Sequence, residues 1–394
     1  MMRISRMEVD NFKSLVDFSL DLPKFTCLIG LNGAGKSTIL QCLDFLSRLV
    51  VRDGLDPWFD ERGWKSRDLL SRLSGRSESI DFKVKFVDAS QTLVGHWRGR
   101  YDPGVNACRD ESVDIGGWTL STVGDREVTI HKPGAEPQTE RISFVYEGSI
   151  LSQIREELLP AEILQLKGLI AGIQALDQLS PNELRRRARE ASGTLGAGGR
   201  NLSALIHEMS EVERKALVER MRKAYPRLNE LVTTQLQAGW KQLEILEDYE
   251  TTSPGHLFEG PLATEARHIN DGLLRVLAVF AELQSRHPVA LFDEIENGIN
   301  PELVELVMDS LVQAPKQIVV TTHSPMILNY LEDEVAKESV LYIYKKADGI
   351  TRSIPFFDIP SIGEKLRFMG PGEAFVDTDL LRLGEEIDAI SGAF

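Results

Sequence analysis

The sequence predicts an α/β protein: a parallel sheet with crossing helices, an antiparallel β subdomain and an inserted helical lobe. Three observations predict it. A short apolar strand, FTCLIG, runs into a glycine-rich turn and then an amphipathic helix, KSTILQCLDFLSRLV. Four alternating runs, with Gly, Pro and Asp turns between them, follow between residues 78 and 148. Strands and helices alternate again over the last third, which indicates right-handed crossovers and parallel pairing.

Each element has its own reason. Residues 3–30 read as three strands, ISRMEV, SLVDFSLDL and FTCLIG. Residues 36–50 carry apolar positions at helical spacing, and a polar, tryptophan-containing connection follows at 51–78. ESIDFKVKFV, TLVGHWRGRY, REVTIHKP and ERISFVYEG alternate like antiparallel strands. From 149 to 235 the pattern turns helical with no β-rich interruption, so the expected organisation is a discontinuous head, 1–148 with 236–394, around a helical lobe at 149–235. In the last third a helix at 272–285 leads to the strand HPVALF. Asn300-Pro301 opens a helix with Asn as N-cap and Pro at the first helical position, and Ser324-Pro325 repeats the device after QIVVTT.

Composition sets the outer limits. At 394 residues, 42% hydrophobic and 27% charged, the chain can bury a sizeable core, which excludes disordered, collagenous and disulfide-stapled classes. Cys27, Cys42 and Cys108 show no CxxC spacing, so neither a disulfide framework nor a structural zinc site is expected. With no apolar leader and no membrane-length apolar run, the expectation is a cytoplasmic protein with no membrane contact. The net charge of −15 gives no general attraction to nucleic acid. That charge is uneven: in residues 181–230, 11 Lys and Arg against seven Glu leave +4, and the remainder carries −19. The basic block reads either as a solvated helix face or as a DNA-backbone contact.

Gly30-Leu31-Asn32-Gly33-Ala34-Gly35-Lys36-Ser37 is an intact G-x-x-x-x-G-K-S. Glycines let successive amides aim at an anion, and the helix starting near Lys36 adds its positive end. Lys36 would reach the β- and γ-phosphates, and the Ser37 hydroxyl would bind Mg²⁺. In VALFDE an apolar strand ends in Asp293 and Glu294. Two adjacent acids there suit a Mg²⁺ ligand (Asp293) and a base for the attacking water (Glu294), though they could also cap the turn that follows. His323 directly follows QIVVTT, so Gly30, Asp293 and His323 each come at the end of an apolar strand, on the edge where open α/β sheets bind ligands. Asn270-Asp271-Gly272 opens the helix before the Asp293 strand, either as an ordinary N-cap or as a further anion site.

Together with Asn11-Phe12-Lys13-Ser14, the stretches GLNGAGKST, HINDGLLRVLA, LFDEIENGINP and TTHSP resemble the ATP-binding-cassette heads of the structural-maintenance-of-chromosomes (SMC), RecF and OLD-like class of P-loop NTPases. DEIENGINP and TTHSP resemble the OLD-like ATPases most closely. The resemblance implies Mg²⁺-dependent ATP hydrolysis with Glu294, His323 and Lys36 catalytic. It implies a nucleotide held by Lys13, Gly30, Asn32, Gly33, Ala34, Gly35, Lys36, Ser37 and Thr38. Two heads would sandwich two ATP molecules, with Asn270, Asp271 and Gly272 of one capping the γ-phosphate held by the other and residues 297–300 at the interface. Asn270 stands where the family signature usually begins with Ser; an amide can still donate to a phosphate. Only 71 residues follow His323, too few for the metal-dependent Toprim nuclease of typical OLD proteins, and Asp377-Thr378-Asp379 only imitates its DxD pair. Any nuclease would then be a separate polypeptide, gated by this ATPase in phage defence or DNA repair. Competing readings are a cassette energising a membrane partner and a nucleotide-dependent scaffold with little turnover.

Overall fold

The computed structural model describes residues 2–75, 78–123, 127–176, 179–249, 260–380, 383–384 and 386–387. They fall into two compact units, residues 1–173 with 333–394, and residues 174–332.

The first unit carries an eight-stranded antiparallel sheet. Arg3–Asp10 pairs with Phe18–Asp21 on one side and Ile80–Val87 on the other, and Leu93–Asp102, Ala107–Ile115, Trp118–Val123, Glu127–His131 and Gln138–Arg141 follow in order. Ile80–Val87 shows the alternation of a sheet with one buried face. Phe25–Ile29 is buried at all five positions, as a continuous apolar run requires, and pairs parallel with Val340–Lys345 from the far end of the chain. Thr351–Pro355 closes this group as an antiparallel edge. The helix Lys36–Val50 sets Phe45 into an aromatic cluster with Phe12, Trp58, Phe82 and Tyr101, ring centroids 5.1–6.1 Å apart.

Ala107–Ile115 and Trp118–Val123 are strands that the sequence pattern does not predict. The first is hidden by its charges: in ACRDESVDI the inward residue at the centre is Glu111, fully buried. Its carboxylate accepts from Trp97 Nε1 (2.8 Å), Ile150 N (2.9 Å) and Ser149 Oγ, while burial pushes its pKa up. The acid thus anchors the start of the helix Ile150–Gln153, and a charge stands where an apolar residue would have marked the pattern.

In the second unit Val289–Phe292 runs parallel to Gln317–Thr321, Phe292 opposite Val320. The helices Leu202–Glu208, Glu211–Ala224, Asp271–Gln284 and Pro301–Val312 and a three-stranded antiparallel sheet, Leu228–Gln235, Lys241–Glu247 and Leu262–Glu265, complete it. Lys316, just ahead of the second parallel strand, donates to Glu282 O (2.7 Å) and Ser285 O (2.8 Å), satisfying carbonyls at the end of Asp271–Gln284.

The expectation of an uninterrupted helical block at 149–235 is corrected. Ile173–Leu176 and Leu228–Gln235 are strands, and glycine-linked turns occupy much of 185–200. LNELVTTQ is rich in β-branched and polar residues after a proline, a strand signal masked by the strongly helical sequence before it. The compact units divide after residue 173 and after residue 332, whereas composition places the divisions at 148 and 235.

Candidate functional site

In the first unit the strand Phe25–Ile29 delivers the chain to Gly30, and the helix begins at Lys36. Gly30, Gly33 and Gly35 stand at φ +145°, +76° and +114°. Two of them are also sterically obligatory. A Cβ on Gly30 would collide with the Ile343 carbonyl, and one on Gly35 would lie 2.5 Å from Thr351 Oγ1. Asn32 and Gly33 are exposed at the loop tip, Ala34 is buried, Ser37 is exposed at the helix start and Thr38 is half-buried. The N-cap of this helix is Gly35, which brings no side chain of its own to the helix start. Lys36 is 4% exposed, and its Nζ donates to Gly30 O (2.8 Å) and Leu31 O (3.2 Å), across the loop's own carbonyls. An ammonium held at the loop in this way can donate a charge-assisted hydrogen bond to an anion entering it.

Thr351 gives no signal in the sequence, yet it staples the loop. Its amide donates to Ser14 O (2.9 Å), and its buried hydroxyl lies 2.8 Å from Ser14 Oγ and 2.9 Å from Ala34 O. Lys13, at φ +49°, donates Nζ to Gln41 Oε1 (2.9 Å) and lies 3.4 Å above the Trp64 ring centroid. Gln41 follows Ser37 by four residues, so Lys13 flanks the helix face that presents Ser37. Burial first, then the like charge of Arg62, pulls the Lys13 pKa down to about 8.

The second unit brings Asp293, Glu294 and His323 to one strand edge. Glu294 Oε1 and His323 Nε2 are 3.7 Å apart, each side chain about one-third exposed (32% and 35%). Asn297 donates Nδ2 to Glu294 Oε2 (3.3 Å), and Arg275 Nη1 donates to Asn297 O (2.6 Å), tying the helix Asp271–Gln284 to the acidic turn. Thr321 and Glu296, which lie inside the TTHSP and DEIENGINP stretches but receive no role from the sequence, join the two turns. Asn270 acts as an N-cap, its Oδ1 accepting from Leu273 N (2.8 Å); that uses the acceptor half of the amide, whose NH₂ is the donor half. Arg185 donates to Ile269 O (2.7 Å) and pairs with Asp271. A Cβ on Gly272 would sit 3.2 Å from Gly298 O.

Residues 2–92 match the AAA ATPase domain family, and residues 157–329 match a family described as AAA domain, putative AbiEii toxin, Type IV TA system. Among solved structures, the Smc head bound to the C-winged helix domain of ScpA is similar at a TM-score of 0.57 and 16% identity, over 89% of this chain and 97% of that one. The Smc head with an extended coiled coil from Pyrococcus furiosus, bound to the C-terminal domain of ScpA, gives 0.57 and 15% over 93% and 100%. The chain has the ABC-type P-loop NTPase fold of the SMC head domains. Two separate stretches of the chain thus match ATPase-domain families, on the fold of an SMC head. No curated protein matches the chain.

Within this SMC-head-like fold the basic block is largely engaged internally. Besides Arg185, Arg186 pairs with Glu183 (3.1 Å), Lys215 with Glu211 (2.7 Å), and Arg222 donates to Leu228 O (2.8 Å). Arg189, Arg220 and Arg227 lie over the rings of Trp240, Phe280 and Tyr249 at 4.8–5.7 Å. In the first unit Asp377 pairs with Lys365 (3.0 Å), the lysine also donating to Asp377 O. Among the described residues no helix is long and apolar enough to cross a membrane.

Proposed function

We propose that the head binds ATP through Lys13, the loop from Gly30 to Gly35, Lys36, Ser37 and Thr38, and hydrolyses it with Asp293, Glu294 and His323. The observation that carries this reading is the phosphate loop itself, three positive-φ glycines, the last of them the N-cap of a helix whose lysine lies across the loop. The Glu294–His323 pair, on the edge where parallel sheets receive ligands, supports hydrolysis over binding alone. Ser37 and Asp293 supply hard oxygen donors, the set Mg²⁺ prefers, and the ion would neutralise charge on the transferring phosphoryl group. Glu294 would orient and deprotonate the attacking water, and His323 would donate to that water or to a γ-phosphate oxygen.

ATP would close two heads on each other, with Asn270, Asp271 and Gly272 presented to the partner's nucleotide and residues 297–300 at the interface. Hydrolysis would then gate a separate effector, a nuclease, in defence or repair. The DEIENGINP and TTHSP stretches, which resemble OLD-like ATPases, support that role, as does the toxin–antitoxin description of the family matched at 157–329. The ScpA domain bound to the similar Smc heads supports a protein partner. DNA contact through residues 181–230 would rest on exposed side chains such as Arg187 and Lys223.

Lys36→Ala should abolish ATP binding in a calorimetric titration; retained tight binding removes the phosphate-loop assignment. Glu294→Gln should bind ATP, lose turnover by roughly 10²–10⁴-fold and accumulate an ATP-dependent dimer by light scattering. A monomer that turns ATP over normally overturns both the base and the sandwich.

A further inference from the structure

At the edge formed by Val289–Phe292 and Gln317–Thr321, the two turns are strapped to each other in both directions. Thr321, the last residue of its strand and fully buried, donates Oγ1 to Asp293 Oδ1 (2.5 Å) and accepts on the same oxygen from Glu294 N (2.8 Å). Its carbonyl accepts from Ile295 N (3.2 Å). Glu296 makes the return strap: Oε1 accepts from His323 N (2.9 Å) and Ser324 N (3.1 Å).

Two features show that these bonds hold something that would otherwise relax. Glu294 sits at φ +49°, a left-handed conformation that strains a side-chain-bearing residue and persists only where the surroundings impose it. The Thr321 hydroxyl grips the amide of that very residue. Glu296 keeps Oε2 buried and without a donor among the described residues, so its carboxylate commits one oxygen to the His323 turn and leaves the other unsatisfied. A carboxylate with no nearer task would turn both oxygens toward water.

We propose that Thr321 and Glu296 are positioning residues of the hydrolytic site, fixing the Asp293 carboxylate, the Glu294 backbone and the His323 turn as one unit. The proposal rests on the roles given above to Asp293, Glu294 and His323. Neither strap touches a reacting atom. Thr321 sets the rotamer of the metal-binding acid and the place of the base; Glu296 sets the 3.7 Å separation of Glu294 from His323.

Thr321→Val keeps the side-chain shape and removes the hydroxyl, and Thr321→Ser restores it. Displacing catalytic groups by about an ångström is worth on the order of 10²-fold, so Thr321→Val should lower kcat roughly 10–100-fold. Its metal-free ATP affinity should stay within about twofold, and Ser should return kcat to within about threefold of wild type. Mn²⁺ binding to protein loaded with a non-hydrolysable ATP analogue, read by electron paramagnetic resonance, should weaken in Thr321→Val and recover in Thr321→Ser. Glu296→Ala should lower kcat with ATP affinity and Mn²⁺ binding intact, because its strap reaches the His323 turn and not Asp293. A wild-type kcat in Thr321→Val, or a loss that Ser does not repair, overturns the proposal. Should Thr321→Val not fold, Glu296→Ala decides the matter by the same kcat criterion. Glu294→Gln is measured alongside: full turnover there refutes the base assignment, whereas loss there with unaffected straps refutes the straps alone.

Discussion

Replacing Gly35 by Ala tests whether Thr351 is the wall behind the phosphate loop. At φ +114° and ψ 10° an alanine incurs backbone strain of about 1–3 kcal/mol. Its Cβ would also meet Thr351 Oγ1 at 2.5 Å and Cγ2 at 2.9 Å, contacts that force the neighbour to move at about 1–3 kcal/mol more. The single variant should therefore lose about 4 kcal/mol. Thr351→Ala removes both offending atoms and leaves Thr351 Cβ at 3.2 Å as the nearest neighbour, at its own cost of about 1–3 kcal/mol for the lost hydroxyl bonds. In that background Gly35→Ala should cost only its strain, so the cycle should show a favourable coupling of about 1–3 kcal/mol. Urea unfolding of the four proteins measures it, with ATP affinity titrated on each. Additivity to within about 0.5 kcal/mol would refute Thr351 as the residue that excludes a side chain at position 35.

Other outcomes follow from the same geometry. Asn270→Ala should lose about 1 kcal/mol by thermal unfolding, since the cap on Leu273 N goes with it, and Asn270→Ser should keep most of that stability; equal losses would show the cap is idle. Arg185→Glu should destabilise the protein by at least about 2 kcal/mol in urea, because it sets an acid against Asp271 and strips Ile269 O; an unchanged midpoint would return Arg185 to the solvated face. Lys13, held near pKa 8, carries a burial penalty in the folded state that is full below pH 8 and vanishes as pH approaches the ordinary lysine value. Wild-type stability relative to Lys13→Met should therefore rise from pH 7 to 9.5, by about 1 kcal/mol after discounting for the side chain's exposure; a pH-independent difference contradicts the burial.

What the sequence discloses is local or periodic. The loop from Gly30 to Ser37 is contiguous, and its residue types state its geometry. Asp293 and His323 can be paired because two apolar strands end in them, and parallel strands end together. Residues that act through distant partners leave no trace: Thr351 meets Ala34 across 317 positions, and Thr321 is one more β-branched residue at a strand end until its hydroxyl is seen between Asp293 and Glu294. Glu296 sits in an acidic turn whose first two carboxylates are the conspicuous ones. Arg185 misleads in the other direction, since a cluster of arginines looks the same whether it faces solvent or holds Asp271. Ala107–Ile115 escapes because Glu111 faces inward, inverting the expected polarity at that position.

The joining of both ends of the chain around the phosphate loop has a consequence for synthesis. Phe25–Ile29 leaves the ribosome roughly 300 residues ahead of its parallel neighbour Val340–Lys345 and of the Thr351 staple. At roughly 5–20 residues per second, the 317 positions between Ala34 and Thr351 take about 16–60 s to translate. Throughout that interval the nascent loop lacks its wall and its strand neighbour, so the growing chain should not retain nucleotide. Emergence of Thr351, rather than of the motif, would then be the event that completes the loop for ATP.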